Sequence, residues 1–293
     1  MSAPEPRTVL RVRGKELPPT SLVMAIVNRT PDSFFDKGKT FGLAAALDRV
    51  DQVVEEGAHV VDIGGVKAAP GEDVPVAEES RRVVEVVAAV RDRHPDVVLS
   101  VDTYRAAVAR AALEAGADLV NEAWQAPEPE TARVAAEFGA GLVCTHAGHL
   151  PPRTRPHRVA YLDVVGDVVT TLTAMAEAAV GEGVPREGVL IDPGHDFGKN
   201  TRHSLLLTDR TADLVATGWP VLMALSRKDF VGETLDLLPD DRLEGTLAAT
   251  AVCAFQGARL FRAHDVAATL RVLRMVDAIR GRTHPLVDVR GLA

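Results

Sequence analysis

The residues that could do chemistry stand at one kind of place in this sequence, at or just beyond the C-terminal ends of short apolar runs. In chain order they are Asn28, Asp62, Asp102 with Thr103, Asn121 with Glu122, His146, Asp192, Arg227 with Lys228, and Arg262 with His264. Any single Asp, Asn or Thr in such a place can serve as a helix N-cap, accepting from the free N–H groups of the first turn. Caps do not account for Arg227, Lys228, Arg262 and His264 arriving at the same positions. Carboxylates and amides together suit the amide and amine edge of a fused heterocycle, and Lys, Arg and His suit a phosphate. The set therefore predicts a heterocycle floor beside an anion clamp.

The elements that must position these residues are short. Apolar runs at Leu22–Val27, His59–Ile63, Val97–Val101, Asp118–Val120, Gly141–Thr145, Gly188–Ile191, Pro220–Leu225 and Ala258–Phe261 alternate with longer stretches of helical periodicity, such as 105–115 and 164–180. Eight strand–helix units predict a single (β/α)8 TIM barrel over residues 21–293, preceded by an N-terminal extension, 1–20. A doubly wound open sheet is the rival. It often carries a Gly-rich phosphate turn after its first strand, whereas here the first strand runs into Asn28-Arg29-Thr30-Pro31-Asp32-Ser33. The long connections, 29–41, 66–75, 147–162 and 194–201, all follow strands, so they fall at the C-terminal mouth where barrel enzymes build their sites.

Composition narrows the function classes. The 293 residues carry a net charge of −8 spread along the chain, with no basic block for nucleic acid. The N-terminus has no apolar leader, and no stretch reads as a run of roughly 18 apolar residues, so no membrane span is expected. Cys144 and Cys253 sit in apolar segments without pairing or metal-ligand spacing, which fits buried thiols in a reducing, cytoplasmic setting. His146 and His149 are spaced like solvated loop residues and are not read as metal ligands.

Six motifs in barrel order give the chain a family resemblance. They are Ile26-Val27-Asn28-Arg29-Thr30-Pro31-Asp32-Ser33-Phe34, Asp62-Ile63-Gly64-Gly65, Ser100-Val101-Asp102-Thr103, Asp192-Pro193-Gly194 with Phe197-Gly198-Lys199, Ser226-Arg227-Lys228, and Arg262-Ala263-His264-Asp265-Val266. From about Met24 to Gly281 the chain resembles dihydropteroate synthase. The resemblance implies a reaction in which the amine of p-aminobenzoate displaces pyrophosphate from hydroxymethyl-dihydropterin pyrophosphate, assisted by Mg2+. It would place Asp102, Asn121, Asp192 and Lys228 on the pterin, and Asn28, Arg262 and His264 on the pyrophosphate, with Asn28 near the metal. Arg227 joins the substrate-binding set. Asp36, on a loop that closes over the reacting atoms, joins Asp102 and Lys228 as the catalytic residues. Such closure would keep water from a cationic intermediate. The resemblance also implies a homodimer formed through outer helices.

The sequence departs from the family around the second substrate. Where active members continue Gly-Gly-Glu-Ser-Thr-Arg-Pro-Gly, this chain has Gly64-Gly65-Val66-Lys67-Ala68-Ala69-Pro70-Gly71, and the alanines cannot supply hydroxyl or guanidinium hydrogen bonds. Lys67 brings a charge without the planar fork of Arg. Asp229 replaces a Ser that usually receives the aminobenzoate carboxylate; like charges about 4 Å apart repel by roughly 1 to 4 kcal/mol, or about one to three decades of affinity. Alternatively, Asp229 caps the following helix. Glu122 and His195-Asp196 are lesser departures. The pattern predicts a pterin-binding protein whose p-aminobenzoate reaction is weak or lost. The alternatives are a fully active synthase and a pterin-binding transferase with another acceptor. Asp229→Ser combined with Ala68→Thr and Ala69→Arg is expected to raise p-aminobenzoate affinity in calorimetric titration; unchanged affinity would clear these positions of responsibility.

Overall fold

The computed structural model describes residues 9–30, 40, 42–154 and 160–290. A short antiparallel hairpin, β1 (Arg11–Val12) and β2 (Lys15–Glu16), precedes eight parallel strands. These are β3 (Leu22–Asn28), β4 (Val60–Gly64), β5 (Val98–Asp102), β6 (Leu119–Glu122), β7 (Gly141–Thr145), β8 (Val189–Asp192), β9 (Leu222–Met223) and β10 (Leu260–Ala263). They pair in the order β8-β7-β6-β5-β4-β3-β10-β9, and a parallel bridge from Ile191 to Val221 joins β8 to the segment entering β9. The ring is the expected TIM barrel, with each strand end within a few residues of its predicted place.

Two-residue alternation explains how the strands build both a core and a site. In β3, Val23, Ala25 and Val27 face the outer helices, while Leu22 and Met24 join an interior cluster with Val60, Val98, Leu119, Val143, Leu190, Leu222 and Leu260. One step further along the same inward face, Ile26 and Asn28 line a cavity, as do Asp102, Ala224, Ser226, Lys228, Arg262 and His264 from other strands. The interior is thus apolar at the bottom and polar at the top.

The helices are α1 (Leu43–Glu55), α2 (Val76–Arg93), α3 (Ala106–Glu114), α4 (Glu130–Glu137), α5 (Val164–Gly181), α6 (Thr201–Asp209), α7 (Thr211–Val215), α8 (Asp229–Leu235), α9 (Leu243–Gln256) and α10 (Val266–Ile279). One sequence expectation needs correction here. By length and composition α5 is apolar enough to cross a membrane. Its buried face, including Val168, Leu172 and Ala176, instead belongs to the core shared with the sheet, and Asp163 caps its start by accepting from Val165 and Gly166 N–H.

The residues expected as an extension take part in the core. Leu10, Val12 and Leu17 are buried in the interior cluster and close the bottom of the barrel. Arg13, at the hairpin tip, donates to the Leu113 and Ala117 carbonyls. Leu10→Ala should therefore destabilise the whole barrel by about 2 to 4 kcal/mol, seen as a lower urea midpoint; an unchanged midpoint would make the hairpin an appendage.

Candidate functional site

A cavity of about 510 Å3 opens at the C-terminal mouth of the barrel. Its inner half is organised by Arg262 on β10. The guanidinium donates through Nε to Asp62 Oδ2 at 2.6 Å and through Nη2 to Asp102 Oδ2 at 2.7 Å. Asp62 also accepts from Ser100 Oγ and from Asn121 Nδ2, at 3.1 Å for the latter, so Asn121 lies beneath the cavity and braces its floor. Burial pushes the Asp102 carboxyl up to about 7; Arg262 opposes the shift and the neighbouring Asp62 adds to it.

Around this centre, the end of β8 contributes Asp192, buried and held by the Gly194 N–H at 2.8 Å, with its pKa raised by burial. Lys228 follows β9. Its ammonium donates to the His195 carbonyl and lies 4.8 Å from the centre of the Phe197 ring, and burial lowers its pKa against the pull of Asp192. Asn28 lines the cavity at the end of β3. His264 lines it too. Burial, with the Arg262 charge adding, pushes its pKa down to about 3, and its Nδ1 meets Ser226 Oγ at 2.9 Å. The His264 amide donates to the same hydroxyl oxygen at 3.2 Å, so Ser226 holds both the backbone and the ring of His264 in place.

Two expectations fare differently. Arg227 does not reach the cavity: its guanidinium is committed to Asp265 at 2.8 and 3.0 Å and to the Pro239 and Asp240 carbonyls, where it anchors the segment between α8 and α9. Asp36 lies outside the described residues.

The outer half is built by loops. Trp124 and Phe197 meet edge to face at 4.8 Å, and Glu122 fixes the turn carrying Trp124 by accepting from the Trp124 and Ala126 N–H groups. Ala68 and Ala69 lie opposite on the loop after β4, whose Ala69 and Glu72 carbonyls are held by Arg153. Lys199 is buried, and its three N–H groups go to His146 Nδ1, the His146 carbonyl and the Phe197 carbonyl. His146 Nε2 continues to Asp167 at 2.8 Å, so this histidine braces a loop. Among the described residues no group of three His, Cys, Asp or Glu side chains is placed to hold a metal.

Asp229 does line the outer half, but it caps nothing; its Oδ1 accepts from Arg242 Nη1 at 3.0 Å. The cap comes from a residue whose role sequence reasoning missed. Asp196 Oδ2 accepts from the Asp229 N–H at 2.7 Å and faces the Phe230 N–H at 3.4 Å, with its backbone at φ +65° in the left-handed region that favours glycine. The available signal was an acid inside the Pro193–Gly198 turn.

The barrel, its apolar bottom and the polar cavity at its C-terminal mouth define a TIM-barrel protein with its candidate site at the strand ends. The family model for pterin-binding enzymes matches residues 24–264, and the chain belongs to that family. Over 277 residues, 93% of this chain and 87% of the relative, it is 60% identical to inactive dihydropteroate synthase 2 of Mycobacterium tuberculosis. It is 38% identical over 268 residues, 90% of this chain and 91% of the relative, to dihydropteroate synthase of Bacillus subtilis. The structure of Yersinia pestis dihydropteroate synthase with a sulfonamide drug superposes with a TM-score of 0.88 at 36% identity, covering 94% of this chain and 100% of that one.

The neutrality of His264 has a stability consequence. Its folded pKa of about 3 lies below the unfolded value of 6.5, so its contribution is complete above pH 6.5 and is lost as pH falls from there toward 3. The stability advantage of the wild type over His264→Gln should therefore shrink by up to about 2 kcal/mol between pH 7 and pH 5 in urea unfolding. A constant difference would show that the imidazole titrates alike in the folded and unfolded chain.

Proposed function

We propose that the inner half of this cavity binds a pterin carrying a pyrophosphate and that condensation with p-aminobenzoate is weak or lost. The observation that carries the reading is the Arg262 guanidinium held between Asp62 and Asp102 in the same pocket as Lys228, facing an outer half without its usual donors. Asp102 and Asp192 are suited to accept from the ring N–H groups of a pterin, and Asn121 keeps the floor in register. Arg262 and His264 are suited to hold phosphate oxygens, where fixed donors stabilise the charge that develops on a departing pyrophosphate. The relative's name, inactive dihydropteroate synthase 2, supports the loss of turnover.

Mg2+ fits this site as a partner of the ligand. Such an ion takes most of its shell from water and phosphate oxygens, so one amide oxygen from the protein suffices. Asn28 Oδ1 supplies it, and Gly64 keeps the adjoining space open: a Cβ there would stand 3.5 Å from Asn28 Oδ1 and 3.8 Å from Asp102 Oδ2. When bound, the ion would offset part of the pyrophosphate charge. The reading includes a homodimer, supported by the exposed Phe255 on α9 and Met275 and Ile279 on α10, and a cytoplasmic setting, supported by the buried free thiols of Cys144 and Cys253.

A pterin that draws on the ionised Asp102 must displace its proton. Affinity should rise as pH increases toward about 7 and level off above. Titration of 6-hydroxymethyl-7,8-dihydropterin with pyrophosphate and Mg2+ at pH 6.5, in Tris and in PIPES, should give heats that differ by the ionisation enthalpy of a released proton. No binding would overturn the reading, and binding with p-aminobenzoate turnover at the rate of an active synthase would overturn its second half.

A further inference from the structure

The outer half of the cavity contains a contact that decides what can enter it. The amides of Asp229 and Phe230 point toward the Asp196 carboxylate, which faces both through Oδ2 and is steadied through Oδ1 by Ser204 Oγ at 3.3 Å. These are the first two amides of α8, and Asp196 and Asp229 both line the cavity beside them. Holding Asp196 there requires a left-handed backbone that any side chain other than Gly, Asn or Asp adopts at a cost. Glu233 stands on the same rim, hydrogen-bonded by Thr201. Of the ammonium groups lining the cavity, Lys199 spends its three N–H groups on His146 and Phe197 and Lys228 donates to the His195 carbonyl, while Lys67 stands on the loop after β4. A carboxylate entering this half would meet Asp196 and Glu233, with Asp229 already paired to Arg242 at 3.0 Å, and find the two amides already engaged.

We propose that Asp196 is a specificity-determining residue: its carboxylate occupies the donors that an anionic second ligand would use, so that the second ligand of this protein presents an uncharged or cationic group at that end. The Trp124 and Phe197 rings, which meet at 4.8 Å, offer such a ligand an aromatic wall. The inference rests on the reading that a pterin fills the inner half, because that leaves the outer half as the place for a second ligand.

The test is a titration of protein loaded with hydroxymethyl-dihydropterin, pyrophosphate and Mg2+ with three probes of one shape and different charge: p-aminobenzoate, p-aminobenzamide and p-aminobenzamidine. The wild type should bind the amide and the amidine at least about tenfold more tightly than the carboxylate. Asp196→Gly, which keeps the left-handed turn and frees both amides, should gain about tenfold or more for p-aminobenzoate and lose preference for the amidine. Asp196→Asn, which keeps an acceptor oxygen on the amides but removes the charge, should fall between. Pterin binding by each variant reports an intact pocket. Equal affinity of the wild type for carboxylate and amide, whether through Lys67 or another group, would overturn the proposal. So would an unchanged order in Asp196→Gly, or no binding of any probe to loaded protein. If the pterin itself fails to bind, the functional reading falls separately, and the same three probes on unloaded protein still decide the role of Asp196.

Discussion

Two carboxylates, Asp62 and Asp102, can be buried side by side at the mouth of this barrel only because one guanidinium lies between them. A buried acid without a partner either costs several kcal/mol or takes up a proton, and removing one partner of such a group strands the other. Arg262 solves the problem for both acids. It also spans the ring, from β10 to β4 and β5, so the contact that gives both acids a partner also ties these strand ends together. The remaining polar residues arrange themselves around this centre: Asn121 and Ser100 complete the shell of Asp62, while His264, crowded by the same charge, is held neutral.

Much of this was legible in the sequence because strand alternation and motif order are local. A polar residue two positions beyond a buried apolar one on the same strand must face the same way, so the spacing of Leu260, Arg262 and His264 alone puts them in one inward file. Long-range partners were not legible. Nothing local distinguishes Arg227, which turns away to Asp265 and the 239–240 carbonyls, from Lys228, which turns inward. Asp229 was visible as an unusual charge, but its ion pair reaches Arg242, just before α9, and the cap from Asp196 reaches α8 from the loop after β8. The role of Leu10, Val12 and Leu17 was hidden for a similar reason, since a few apolar residues in a short hairpin do not announce that a barrel end needs closing.

The two halves of the cavity differ in how they are built, and this matches where the chain departs from its relatives. The inner half is made of strand ends in a hydrogen-bonded ring, where a changed side chain disturbs several neighbours. The outer half is made of loops held by individual contacts, such as Arg153 on the Ala69 carbonyl and Glu122 under Trp124. Loops on a rigid scaffold can change their lining while the scaffold persists. A chain can therefore exchange what it accepts at the rim while its floor remains that of the pterin-binding family.

The hairpin at the barrel bottom also orders events in time. Leu10 is made long before the cluster that buries it is complete, since that cluster includes Leu222 and Leu260, more than two hundred residues later. Until β10 is synthesised and paired with β3, the barrel is an open sheet with unsatisfied edges and its bottom closure has no complete seat. The nascent chain must carry these apolar side chains without their full set of partners until the last strands are made.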